Sequence, residues 1–137
     1  MSKFFKRISS IALAMAMATT MAVAAGAYEA RTPLVSTPYG TMQGFLTVTE
    51  STNFKYVSGK TTCTTDDAPM ICVSIAIVSY PEGEPIYEHN NTVVTSEYAS
   101  EVSTLAYSVS KAPITAYGAH EIRGTIGYGK YTQLVNV

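Results

Sequence analysis

The chain has 137 residues, of which 47% are hydrophobic and 14% charged, and its formal net charge is −1. This length suits one domain better than two. The chain after residue 27 is mildly acidic and has no basic cluster, which makes it a poor candidate for binding nucleic acid or an anionic membrane.

The first 27 residues have the three-part pattern of a secretory signal peptide. Residues 3–7 supply positive charge, residues 8–23 are apolar and rich in Ala, and residues 25–27 read Ala-Gly-Ala, a small-x-small cleavage site. A second site of this kind ends at Ala24. The apolar run is short for a spanning helix, which needs about 20 strongly apolar residues. We therefore predict a helical signal peptide over residues 1–27, cleavage, and a secreted product without a membrane span.

The remaining chain is acidic and divides into a short leader and one domain. Residues 28–137 carry six Lys or Arg and ten Asp or Glu, which gives a net charge of −4. Because Pro33 and Pro38 interrupt regular pairing, we expect residues 28–39 to be a leader or an edge segment. We expect residues 40–137 to form a single β domain.

Residues 41–137 are rich in Thr, Val, Ile, Tyr and Ser, which favour pleated strands, and no segment has a helical apolar stripe. Turn residues divide this region into seven predicted strands, near residues 41–49, 53–61, 71–80, 86–95, 101–110, 115–126 and 130–137. The segment 71–80 is apolar on both faces, which is typical of a central strand. The polar residues 88–91 predict either a bulge or a second turn within the fourth strand.

Side-chain alternation predicts which residues face the core. In the second strand we expect Phe54 and Tyr56 to share a face and Lys55 to point away from it. In the fifth we expect Leu105, Tyr107 and Val109 to share a buried face. Six or seven short strands separated by turns indicate an all-β, antiparallel β-sandwich or a partly open barrel.

Cys63 and Cys72 are the only cysteines, and both lie in the part of the chain that we expect to be exported. An oxidising compartment favours a disulfide between them. A zinc site would need about four ligands, and neither a His nor another Cys lies near this pair in the sequence. We therefore predict a disulfide that closes a short loop.

The sequence contains no recognisable catalytic, metal-binding or cofactor-binding motif. His89 and His120 are the only histidines, and each has a carboxylate neighbour, Glu88 or Glu121. Neighbours on a strand point to opposite faces, so neither pair is a ready acid–base dyad. We predict a protein that is not an enzyme and needs no cofactor, and the role of either histidine stays open.

Tyrosine is the most unusual feature of the composition, since the chain has ten Tyr and no Trp. Tyr offers flat apolar area with a hydrogen-bonding tip and can build a recognition surface. The alternative is that Tyr is simply a good residue for cross-strand pairs. The candidate binding residues, at predicted turns or strand ends, are Tyr80, Tyr87, Tyr117 and Tyr128.

A signal segment, strands rich in Thr, Ser and Tyr, and a short cysteine loop make the chain similar in general style to small exported β-proteins of Gram-positive bacteria. That group includes the lactococcin-972-like bacteriocins, but no motif here identifies them and no functional residue is carried over. We expect a secreted module that binds a protein or a carbohydrate. The alternatives are a bacteriocin-like effector and an assembling surface or matrix protein.

Overall fold

The computed structural model describes residues 27–80 and 86–137, and for residues 86–91 it describes the backbone only. In this part the chain forms ten β-strands and no helix. The strands are β1 (Ala27–Arg31), β2 (Val35–Thr37), β3 (Gly40–Glu50), β4 (Lys55–Cys63), β5 (Met70–Ser79), β6 (Ile86–Ser96), β7 (Glu101–Ser103), β8 (Tyr107–Val109), β9 (Ile114–Arg123) and β10 (Gly127–Leu134). The predicted signal peptide lies outside the described residues, except for Ala27.

The strands form two antiparallel sheets, so the all-β prediction is confirmed. One sheet has the order β1-β3-β4-β7, with β2 also paired to β3 and β8 also paired to β4. The other has the order β10-β9-β5-β6. The inner faces of the two sheets pack against each other through shared apolar clusters, which fits the predicted sandwich.

Two apolar clusters fill the space between the sheets, one toward each end. The first joins residues of both sheets around Met42, Ile71 and Ile122. The second does the same around Leu46 and Ile77, with further members from β4, β8 and β9. Alternating apolar residues on β3 and β5 therefore face inward as predicted.

The predicted fifth strand is divided in two, and Leu105 is 57% exposed instead of buried. Residues 104–106 leave the strand, and Thr104 takes over the local pairing with β4. The N–H of Thr104 donates to the Gly59 carbonyl, and the N–H of Gly59 donates to Thr104 Oγ1. This side-chain bond replaces a regular ladder bond and turns Leu105 outward.

Lys55 and Tyr56 alternate along β4 as predicted, and it is the face of Lys55 that is buried. Lys55 is buried, and its Nζ donates to the carbonyls of Ala112 at 3.0 Å and Val137 at 2.6 Å. Its Nζ lies 3.9 Å from Glu50 Oε1, and burial lowers its pKa. A lysine with such partners can occupy a buried position, whereas Phe54 lies before β4 and is exposed.

The predicted disulfide between Cys63 and Cys72 is absent, and both residues are buried free thiols. Cys63 belongs to an inner cluster. Cys72 lies between Ile71 and Val73, which face the same cluster, so its side chain points to the outer face of the four-stranded sheet. Sulfur atoms on opposite faces of a sheet cannot reach bonding geometry.

Strand β6 carries the irregularity that the polar residues 88–91 predict. Its register with β5 shifts between Ile75 and Ile77 and again between Ile77 and Val78. These shifts correspond to a bulge within a continuing strand and not to a second turn. The predicted reversal at residues 81–85 lies outside the described residues.

Candidate functional site

The outer face of the four-stranded sheet carries small side chains at its centre. On β5, Ser74 and Ala76 alternate with inward-facing isoleucines and valines, so they point outward. Ala119 on β9 pairs with Ser74 and continues this row. Small residues leave the surface open above them.

Two tyrosines stand on this face on neighbouring strands. Tyr117 of β9 pairs with Ala76 and is 41% exposed, and Tyr131 of β10 pairs with Ala119 and is 84% exposed. They are diagonal neighbours across the β9–β10 ladder, a relationship that places residues about 7–8 Å apart, within reach of aromatic side chains. We call Ser74, Ala76, Tyr117, Ala119 and Tyr131 the tyrosine face.

Polar residues border the tyrosine face. Gln133 pairs with Tyr117 and is exposed, so it can offer both amide donors and an acceptor. Glu121 lies further along β9 and forms an ion pair with Arg123, with 2.7 Å between Glu121 Oε1 and Arg123 Nε. The five residues of the face carry no charge.

The four tyrosines selected from the sequence do not form one cluster. Tyr80 and Tyr87 lie near the same end of the four-stranded sheet, where Tyr80 donates its N–H to the Pro113 carbonyl. Tyr128 lies at the opposite end, at the start of β10. Tyr117 lies inside β9 on the outer face. The side chain of Tyr87 is outside the described residues.

Sequence reasoning missed Tyr131 as a candidate because the selection was limited to turns and strand ends. Alternation along residues 130–137 already separates Tyr131 from the inward-facing Thr132. Its pairing with Ala119, and through it with Ser74, depends on contacts between distant segments. That information is not contained in the local pattern.

His120 lies in a polar layer between the two apolar clusters and is 1% exposed. Its ring fills the space left by Gly44 on the opposite sheet. Gly118 and Thr132 border it on its own sheet, and Thr61 reaches it from β4. The histidine is therefore a link between the sheets, with no access to a ligand in solution.

Hydrogen bonds occupy both ring nitrogens of His120. Thr61 Oγ1 donates to the Cys72 carbonyl at 2.8 Å, so it accepts from Nδ1–H of His120, 3.0 Å away. His120 Nε2 then accepts from Thr132 Oγ1 at 2.8 Å. Burial lowers the pKa of His120 to about 4, although a hydrogen bond with the Lys60 backbone opposes the shift. The ring is neutral at physiological pH.

The other chemistry-bearing side chains do not converge. Among the described residues, no three His, Cys, Asp or Glu side chains lie close enough to hold a metal ion. The side chain of His89 lies outside the described residues. No helix in the described part of the chain has the length and apolar character that crossing a bilayer requires.

Comparisons with protein-family models, with curated proteins and with solved structures find no match to this chain.

Proposed function

We propose that this chain is an exported, non-enzymatic module that binds a neutral carbohydrate on the tyrosine face. The observation that carries the proposal is the pair Tyr117 and Tyr131, exposed on adjacent strands of one sheet face. Tyrosine rings can stack on the apolar faces of sugar rings while their hydroxyl groups bond the rim. Small residues beside them on β5 and β9 leave the rings accessible.

The electrostatics of the face favour a neutral glycan over an acidic one. The five residues of the face carry no charge, and the border cation Arg123 is already paired with Glu121. The chain after the signal segment has a net charge of −4, which repels polyanions. Gln133 beside Tyr117 supplies donors and an acceptor that suit hydroxyl groups.

The polar groups of the core fit a binding role better than they fit an enzymatic role. Both ring nitrogens of His120 are occupied within the sandwich, so it cannot serve as a base for an outside substrate. Export rests on the signal pattern of residues 1–27. A secreted binding module is consistent with both features.

Binding to insoluble cellulose and chitin, with alginate as an acidic comparison, tests this function. We expect retention on a neutral polysaccharide and none on alginate. Tyr117→Ala and Tyr131→Ala should each weaken retention about tenfold, as truncating an interface aromatic does. Tyr28→Ala is the matched control, because Tyr28 is 43% exposed on the six-stranded sheet.

Equal retention of all three variants would contradict the proposed surface. Retention on alginate but on no neutral polysaccharide would contradict the ligand class. Growth inhibition of related bacteria by the purified protein, without glycan retention, would favour the bacteriocin-like alternative instead.

A further inference from the structure

Both edges of the six-stranded sheet are interrupted. On one side β1 and β2 are short and separated by residues 32–34, which include Pro33. On the other side β7 and β8 have three residues each and are separated by residues 104–106. Short strands and Pro prevent an edge from pairing with another chain.

The four-stranded sheet has one irregular edge and one regular edge. Strand β6 shifts register twice against β5, and such bulges also block edge pairing. Strand β10 pairs with β9 without interruption from Gly127 to Leu134. Lys130 is its only charged residue. Of the four sheet edges, β10 alone has none of these interruptions.

The outward backbone of β10 is available for pairing. Within residues 27–80 and 86–137, β9 is the one strand that pairs with β10, and no loop or turn forms a backbone hydrogen bond with it. A strand in this position presents a row of N–H and C=O groups that another strand can satisfy. Five of its eight residues are exposed, including Tyr131.

We propose that β10 pairs antiparallel with β10 of a second copy of this chain, which forms a two-fold dimer with one continuous eight-stranded sheet. A two-fold axis perpendicular to the sheet brings the same edge of both copies together. It also keeps the tyrosine faces of both copies on one side of the sheet.

The charge of Lys130 selects the register. Residues that lie opposite each other in an antiparallel pair point to the same face of the sheet. When two copies of β10 pair about a two-fold axis, one residue near the middle of β10 therefore lies opposite the same residue of the second copy. The two registers with the longest overlap centre on Lys130 or on Tyr131. A centre on Lys130 opposes two like charges, which is unfavourable. A centre on Tyr131 places Lys130 opposite Thr132 and Tyr128 opposite Leu134.

The assembly closes at two copies because the outer edges of the joined sheet are the bulged β6 strands. The dimer aligns Tyr117 and Tyr131 of one copy with the same residues of the other. The two tyrosine faces together form an extended surface that a long ligand could contact. The pairing of the two β10 strands does not require a bound glycan.

Sedimentation of the purified full chain, after removal of any signal peptide, tests the pairing. We expect a concentration-dependent monomer–dimer equilibrium without larger species. Tyr131→Glu and Tyr131→Lys should each weaken the dimer about tenfold or more, because like charges then meet at the axis. An equimolar mixture of the two variants should restore a dimer. Val93→Glu, on the exposed part of β6, should leave the dimer unchanged.

A cysteine at the axis gives a second measurement. Tyr131→Cys should form an intermolecular disulfide under mild oxidation, since directly opposed Cβ atoms approach to about 4.5 Å, the upper end of the range that a disulfide spans. Gln133→Cys, which faces Gly129 of the other copy, should cross-link much more slowly. Tyr117→Ala should leave the dimer intact while weakening glycan retention, so that failure of either proposal is distinguishable.

Sedimentation as a monomer at all concentrations up to about 1 mM would overturn the dimer, because any dissociation constant would then be above the millimolar range. Growth into fibres would overturn its closure. A dimer that resists both charges at position 131, or that Val93→Glu disrupts equally, would overturn the β10 interface.

Discussion

Gly44 and His120 face each other across the two sheets, and a Cβ atom added to Gly44 would lie 2.1 Å from Cγ of His120. The glycine on β3 thus provides the space that the imidazole of β9 occupies. A polar, glycine-bordered layer separates the two apolar clusters of the core as a result. Substitutions in this layer therefore test how much the contact contributes to the stability of the fold.

Gly44→Ala should destabilise the fold by about 3 kcal/mol, because the methyl group overpacks a buried and hydrogen-bonded ring. Urea unfolding monitored by tyrosine fluorescence measures the change. Gly127→Ala is the control, since its added Cβ meets nothing closer than 3.6 Å. We expect its effect to stay within about 1 kcal/mol. Equal stability of both variants would contradict the contact between Gly44 and His120.

Stability should fall as the pH drops from about 6.5 to about 4. The pKa of His120 is 6.5 in an unfolded chain and about 4 in the fold, so the unfolded state binds the proton more tightly in this range. The stabilisation is complete above pH 6.5 and declines by about 3 kcal/mol by pH 4. Urea unfolding at a series of pH values measures this loss.

His120→Gln should remove most of this pH dependence, although it lowers stability at neutral pH. His89→Gln should retain the dependence, which assigns the titration to His120. NMR of the imidazole Cε1–H signals follows each histidine directly. A His120 signal that titrates near pH 6.5 would contradict the neutral, buried ring.

Thr132→Val should cost about 1–3 kcal/mol, because His120 Nε2 loses its donor and stays buried without a partner. The substitution keeps the shape of the side chain, so packing changes little. Thr47→Val, on the outer face of the six-stranded sheet, should change stability by less than about 0.5 kcal/mol. Thermal unfolding of both variants compares them, and equal melting temperatures would argue against the bond.

Local alternation was sufficient to predict the long strands, but it predicted neither the division of the fifth strand into β7 and β8 nor the contacts between strands. The period-two pattern of residues 71–80 identifies β5 and its inward face because both depend on neighbouring residues alone. The exposure of Leu105 and the burial of Lys55 depend on bonds to Gly59, Ala112 and Val137, which are distant in sequence. Local patterns do not record such partners.

The same distinction applies to the functional residues. Tyr117 was a candidate because of its predicted place near a turn or strand end, but the β9–β10 register is needed to identify its neighbour Tyr131. His120 was correctly placed on a strand with Ile122 on the same face. Its burial in a polar layer follows from Gly44 and Thr61 on the opposite sheet, which sequence reasoning could not bring together.

Both thiols should be present in the folded protein. Cys63 faces the core and Cys72 faces the outer side of the four-stranded sheet, so neither can reach the other without disrupting β5. Alkylation of the denatured protein without reductant should therefore add two labels, as measured by mass spectrometry. In the native state labelling should be slow. Burial, with Glu121 nearby, raises the pKa of the Cys72 thiol and reduces its thiolate fraction.

The unfolding midpoint should be the same with and without reductant, because no bridge constrains the unfolded chain. The variants Cys63→Ser and Cys72→Ser show which thiol is labelled, since each should take up one label when denatured. Labels that appear only after reduction, together with a lower midpoint in reductant, would show that the two sulfurs are joined. The inward and outward faces of Cys63 and Cys72 would then have to be reassigned.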